Sequence, residues 1–186
     1  TKTLASFTNV LSVVPSTVEA ERAFASANYL LTPRWRLGAA VDERQRRYSD
    51  PARQVNNLDA TGYDASLTYL TPRGNSIGLA YRMEEGRFPS GSVPVDNAYT
   101  QETATVVVDW TVTPASHLNY RVGVVSRKYD HQVPGFPNRD FDGLTARIVY
   151  DWRPTQRLTL TGIVLREISP VEDIETSFVN IKGLAL

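Results

Sequence analysis

The chain has 186 residues, of which 41% are apolar and 22% are charged, an ordinary balance for one folded domain. Lysine plus arginine and aspartate plus glutamate number 20 each, and the lack of a basic excess argues against nucleic acid as a partner. Cysteine is absent, which excludes disulfides and thiolate metal sites, and no apolar run approaches the roughly 18 residues of a membrane-spanning helix.

Apolar and polar residues alternate through most of the chain after an expected outer loop over residues 1–18. A period of two is typical of amphipathic β-strands, because successive side chains point to opposite faces of a sheet. The pattern predicts about nine strands, at about 23–31, 35–47, 63–69, 77–84, 103–112, 118–127, 144–152, 158–165 and after 174. In the eighth strand the alternation weakens at Ile163 and Leu165, which indicates either a bulge or a plugged interior.

Prolines mark the expected tight turns, because proline suits a turn and cannot donate to a ladder. They recur about every 40 residues, at Pro33, Pro72, Pro114 and Pro154, and the last turn is expected over residues 153–156. Longer loops are centred half a period away, near Pro51, Gly91, Gly135 and Pro170. One repeat is therefore one hairpin plus one long loop, with short turns at one end of the sheet and long loops at the other.

Three all-β architectures compete for this pattern. A propeller repeats at a similar length but packs four short strands into each blade, whereas here each repeat holds two long strands. A soluble sandwich shows the same alternation. An antiparallel up-and-down transmembrane β-barrel uses long tilted strands in sequential hairpins, with short turns on one side and longer loops on the other. We predict one barrel domain over residues 1–186, incomplete in this piece.

Aromatic residues on the apolar phase favour the barrel. All of them fall within about six residues of a tight turn, as expected for an aromatic girdle at a membrane interface. They are Tyr29, Trp35, Tyr69, Trp110, Tyr120, Tyr150 and Trp152. Large core aromatics are the alternative, but a core does not require them at one end. The same phase is rich in alanine, which fills a sandwich core poorly.

Charged residues occupy the other phase of the strands. In a barrel they face the lumen, because charge at the lipid midplane costs about 2 to 4 kcal/mol. The lumen-facing candidates are Arg36, Asp64, Arg82, Glu84, Asp109, Arg121, Arg127, Arg147 and Asp151. They form either salt-bridge ladders that hold the wall rigid or a hydrated passage that hydrogen-bonds sugars. Antiparallel register places Asp64 opposite Arg82, and, with Trp110 facing Tyr120, Asp109 opposite Arg121.

Three stretches resemble a known family. They are Arg127-Lys128-Tyr129-Asp130-His131, Arg139-Asp140-Phe141-Asp142-Gly143, and the hairpin from Tyr150 through Pro154 to Glu167. This pattern resembles the outer-membrane β-barrel of bacterial exopolysaccharide operons, the EpsL type, over most of residues 20–186. The resemblance implies a bacterial outer-membrane location, a role in exopolysaccharide export, and partners that comprise outer-membrane lipid, the polysaccharide and other export components. Family members are roughly twice this length, so strands are expected to be missing on both sides.

No catalytic constellation stands out, and we expect neither catalysis nor a cofactor or metal. The two histidines, His117 and His131, are predicted at opposite ends of the sheet. A hydrolase pair from Asp130-His131 with Asp140 and Asp142 is the remaining enzymatic alternative. Two other functions stay open, namely a polysaccharide channel or scaffold and an adhesive or structural barrel with a plugged lumen. Three loop aromatics could stack on sugar rings, namely Tyr99, Tyr129 and Phe136.

Overall fold

The computed structural model describes residues 2–4, 17–89, 98–130, 140–170 and 178–185. They form ten β-strands and one short 3-10 helix, Pro51–Asn56. The strands are β1 Lys2–Leu4, β2 Thr17–Thr32, β3 Trp35–Tyr48, β4 Leu58–Leu70, β5 Ser76–Arg87, β6 Tyr99–Thr113, β7 Ser116–Tyr129, β8 Phe141–Thr155, β9 Leu158–Pro170 and β10 Phe178–Ala185.

All ten strands belong to one antiparallel sheet whose spatial order is the chain order. Long ladders join each strand from β2 to β8 to the next one, so the sheet is a meander of hairpins rather than a set of propeller blades or two stacked sheets. Among the described strands no pairing joins β1 to β10, and the sheet is open. No helix among the described residues is long and apolar enough to span a membrane.

Short turns lie at one end of the sheet and longer connections at the other, as predicted. Pro33 and Pro114 each begin a two-residue turn, and residues 71–75 form a slightly longer one in which Gly74 has a φ of 81°. At the opposite end the connection after β3 contains the 3-10 helix, whose first turn is capped by the Asp50 carboxylate. The centres of the other long loops lie outside the described residues, except Pro170, which ends β9.

Two predicted boundaries are wrong. Residues 1–18 are not all loop, because Lys2–Leu4 pairs with the start of β2, and β2 itself begins at Thr17. The last tight turn is not at residues 153–156. Strand β8 continues to Thr155 through an irregularity beside Pro154, where a missing N–H is tolerated, and the turn is formed by residues 156–157.

The registers test two predicted charge pairs. Tyr69 lies opposite Ile77 and Asp64 opposite Arg82, as predicted. The second pair is wrong, because Asp109 lies opposite Asn119, and Arg121 lies two residues further along, opposite Val107. The observed register differs from the predicted one by two residues, a difference that the alternation could not reveal because it keeps every side chain on its face. An irregularity between Thr111 and Thr113 lies beside the β6–β7 turn.

The weak alternation in β9 is not a bulge. The β8–β9 ladder runs without a shift from Trp152 opposite Leu160 to Ala146 opposite Arg166. Ile163 therefore lies opposite Val149 and Leu165 opposite Arg147, which puts two apolar residues on the charged face of the sheet.

Candidate functional site

The two faces of the sheet differ in a way opposite to that of a water-soluble sheet. On the face that bears the predicted girdle, large apolar side chains are exposed, with Leu79 at 65% and Tyr29 at 68%. On the other face three charged side chains are buried, namely Arg127 at 2%, Asp42 at 3% and Glu84 at 6% exposure, while others such as Arg121 are exposed. We call these the apolar face and the polar face. Burying charge while exposing aliphatic and aromatic groups is unfavourable in water.

The predicted girdle residues all lie on the apolar face near the short turns, as their registers require. Trp35 lies directly opposite Tyr69, with ring centroids 5.2 Å apart in an edge-to-face arrangement. Trp110, Tyr150 and Trp152 are exposed, while Tyr69 and Tyr120 are half-buried. That these rings form a membrane girdle stays a prediction.

From β2 to β8 an uncharged band follows the girdle across the apolar face, whereas on β9 Arg166 lies on this face, opposite Ala146. It covers positions such as Trp35–Val41 on β3 and Leu144–Trp152 on β8, about 20 to 26 Å along a strand. On the side of the long loops the next positions of the same face are polar and mostly acidic. They are Glu43, Thr61, Glu85, Glu102, Ser126 and Asp142. This border was not predicted from the sequence. Continuing the alternation of each strand past its last apolar residue would have located it.

All nine predicted polar candidates lie on the polar face. Whether this face lines a lumen stays a prediction. Only Asp64, Arg82 and Glu84 are brought into one contact network. Arg127 joins a neighbouring aromatic cluster, and Asp109 and Asp151 lie near the short turns. Arg36, Arg121 and Arg147 share one row across the strands.

The Arg82 guanidinium is the centre of the network. Its Nη1 lies 2.7 Å from Asp42 Oδ1 and 2.5 Å from Asp64 Oδ2, and its Nη2 donates to Glu84 at 3.4 Å. Gly62 lies between Asp42 and Glu84 in the register, and the guanidinium passes directly over it. A side chain at residue 62 would occupy the same space, so the glycine is what allows one arginine to reach three strands.

Two further arginines complete the network. Arg44 contacts the Glu84 carboxylate and lies 3.2 Å from Asp42, while Arg22 approaches Asp42 at 3.6 Å. The network thus contains three arginines and three carboxylates. Sequence analysis missed Asp42, Arg44 and Arg22, because each lies beyond the apolar part of its strand, although the phase of β3 continues through Asp42 and Arg44.

An aromatic cluster adjoins the network at the end of the long loops. Tyr99 donates its hydroxyl to Glu84 Oε1 at 3.0 Å, its ring covers Gly86, and the Arg127 guanidinium lies 4.6 Å from its centroid. Burial raises the pKa of Tyr99, and the Glu84 carboxylate raises it further, so the hydroxyl stays protonated as a donor. Arg127 in turn donates to the Gln101 side-chain oxygen.

This cluster corrects the prediction of loop aromatics that stack on sugars. Tyr99 and Tyr129 belong to strands and are 1% and 6% exposed, packed against each other with centroids 5.8 Å apart. Their rings are therefore not free to meet a ligand. Phe136 lies outside the described residues.

The acidic residues near the short turns have local partners. Asp109 accepts from the Asn119 amide at 3.2 Å and lies 3.4 Å from His117 Nε2. Asp151, opposite His117 in the register, accepts from the Thr161 hydroxyl at 2.6 Å. These contacts join β6 to β7 and β8 to β9 on the polar face.

The residues of the enzymatic alternative are not assembled among the described positions. Asp140 accepts from the backbone N–H of Tyr129 at 3.0 Å, which is a structural contact. Asp142 points to the apolar side of β8, and His131 lies outside the described residues.

The fold and its two faces define a class, an all-β antiparallel meander with an exposed, largely apolar face and a charged, partly buried face. Comparison with family models, with curated proteins and with solved structures finds no match.

Proposed function

We propose that this chain forms wall strands of an outer-membrane β-barrel whose polar face turns inward, and that the barrel serves exopolysaccharide export as a channel or scaffold without catalysis. The membrane part of the proposal rests on the geometry of the sheet. The export part rests on the resemblance in sequence described above. Its partners are outer-membrane lipid, the polysaccharide and other export components.

The inversion of the two faces carries the proposal. In water, an uncharged band of this size would remain as an exposed apolar patch far larger than monomeric proteins tolerate. Against lipid the same band is favourable, and its length along the strands matches the roughly 25 Å apolar belt of outer-membrane barrels. The buried ion pairs then lie in an interior where they are satisfied by each other and by water.

A second candidate function is a structural or adhesive barrel with a plugged lumen. The network around Arg82 favours it, because three arginines and three carboxylates that neutralise one another fill part of the polar face. Planar-bilayer conductance separates the two. An open channel gives a current that added oligosaccharide reduces, whereas a plugged barrel gives none.

A charge placed in the band tests the membrane assignment. Leu79 is 65% exposed at mid-band, so Leu79→Arg in a water-exposed sheet should change stability by no more than about 0.5 kcal/mol. Against lipid the same change costs about 2 to 4 kcal/mol. The matched control is Glu85→Arg, on the same strand and face but beyond the band, where the cost falls to about 0 to 1 kcal/mol.

Unfolding is measured in lipid vesicles, together with fractionation of the protein expressed in a Gram-negative host. Co-fractionation with the outer membrane and a Leu79→Arg cost well above that of Glu85→Arg support the proposal. A protein that stays soluble in the periplasm without detergent, with both variants near neutral, overturns it.

A further inference from the structure

Three arginines lie in one row across the polar face. Following the paired residues from β2 to β8, the row consists of Leu30, Arg36, Thr68, Gly78, Val107, Arg121 and Arg147. It contains no aspartate or glutamate. This row contrasts with the network around Arg82, where arginines and carboxylates are equal in number.

Arg36 and Arg121 have no hydrogen bond or ion pair with any residue in the described part of the chain. The nearby carboxylates of the polar face are engaged elsewhere. Asp64 binds Arg82, Asp109 binds Asn119, and Asp151 binds Thr161. These two side chains therefore form no direct ion pair with a carboxylate of the described part of the sheet.

Arg121 also lies directly opposite Arg147 on the neighbouring strand. Like charges in directly opposed positions destabilise a strand pair. An anion bound by Arg121 would offset this repulsion, and a guanidinium fork matches the geometry of a carboxylate.

Small side chains border the arginine row on the side of the long loops. The next row is Asn28, Gly38, Ser66, Ala80, Thr105, Gly123 and Thr145. No bulky group of this row rises beside the arginines, so a chain of sugar rings has space to lie along them. Arg36 and Arg121 are four strands apart, roughly 19 Å, which a polymer spans and a small anion does not.

We infer that this arginine row binds the carboxylate groups of an acidic polysaccharide. The inference rests on the proposed function and narrows its substrate to a glycan that carries uronic or other carboxylated sugars. Arg121 holds one carboxylate, and Arg36 contacts a second group further along the same chain.

The test is calorimetric titration of the protein in detergent micelles with an oligogalacturonate and with a neutral malto-oligosaccharide of equal length. The acidic oligomer should bind at least tenfold more tightly. Arg121→Gln should weaken its binding about tenfold, the effect of losing one charge-assisted hydrogen bond. The affinity of Arg121→Lys for the acidic oligomer should lie between those of the parent protein and Arg121→Gln, because lysine keeps the charge but lacks the two-pronged guanidinium.

Arg73→Gln is the matched control, since Arg73 is an exposed arginine of a short turn away from the row, and it should leave the affinity unchanged. Gel mobility of unheated samples confirms that each variant is folded. Equal binding of acidic and neutral oligomers, or an unchanged affinity for Arg121→Gln, overturns the inference. The inference is also wrong if an oligonucleotide binds as tightly as the acidic oligosaccharide and Arg121→Gln weakens both, because the row would then bind polyanions in general.

The outcome is separable from that of the proposed function. A protein that inserts in the outer membrane, shows the cost of Leu79→Arg and binds no acidic oligomer refutes the arginine site alone. A soluble protein with a neutral Leu79→Arg refutes the membrane proposal, whatever the titration gives.

Discussion

Replacing Gly62 with alanine should disconnect the Arg82 network. The added methyl group would lie well inside van der Waals contact of the Arg82 guanidinium, and must push it away from Asp42 and Glu84. Asp42 is 3% exposed, so a lost bond there is not replaced by water. Asp42 keeps Arg44 and Arg22, which limits the damage.

The size of the effect follows from the contacts. Loss of hydrogen bonds to charged groups costs about 1.5 to 3 kcal/mol. Alanine in place of glycine also restricts the unfolded chain, which raises the free energy of unfolding by about 0.4 to 1 kcal/mol. The net expectation is a loss of about 1 to 2 kcal/mol in the free energy of unfolding, measured by denaturant titration in micelles through tryptophan fluorescence.

Gly162→Ala is the matched control, because a methyl group at that glycine of β9 meets no atom within 4 Å. It should be neutral or slightly stabilising. The mechanism is checked in an Arg82→Ala background, where Gly62→Ala should cost nothing. If Gly62→Ala is as costly there as in the parent protein, or is neutral in the parent, the role assigned to the glycine is wrong.

Three further predictions concern the faces and the register. The three tryptophans, Trp35, Trp110 and Trp152, should be quenched together in liposomes by lipids that carry a shallow quencher, and only weakly by lipids that carry a quencher at mid-bilayer. Equal shielding from both quenchers would indicate a protein core instead. Tyr99→Phe should cost about 1 kcal/mol by removing the donor to Glu84, and unchanged stability would contradict that role. In double-mutant cycles Asp109 should couple to Asn119 by about 0.5 to 1.5 kcal/mol and less to Arg121; the reverse order would refute the register.

Local alternation in the sequence was sufficient to assign faces from β2 to β8, but not on β9, where Ile163 and Leu165 lie on the charged face. Whether Trp35 or Arg36 lies on the apolar face depends only on parity along one strand, and every predicted girdle and polar residue lies on its expected face. Prolines likewise located three of the four short turns. The Asp64 and Arg82 pair followed because the turn between β4 and β5 leaves the register regular.

The pairing register and the position of the last turn depend on the tertiary structure, because parity along a single strand does not determine them. The β6–β7 register places Asp109 against Asn119 instead of Arg121, and the last turn, after the irregularity at Pro154, is formed by residues 156–157. Both differences keep the hydrophobic pattern intact, so no sequence period records them. The network from Asp42 through Arg82 to Tyr99 joins four strands. It arises only when separate hairpins are laid side by side and long side chains reach across a glycine.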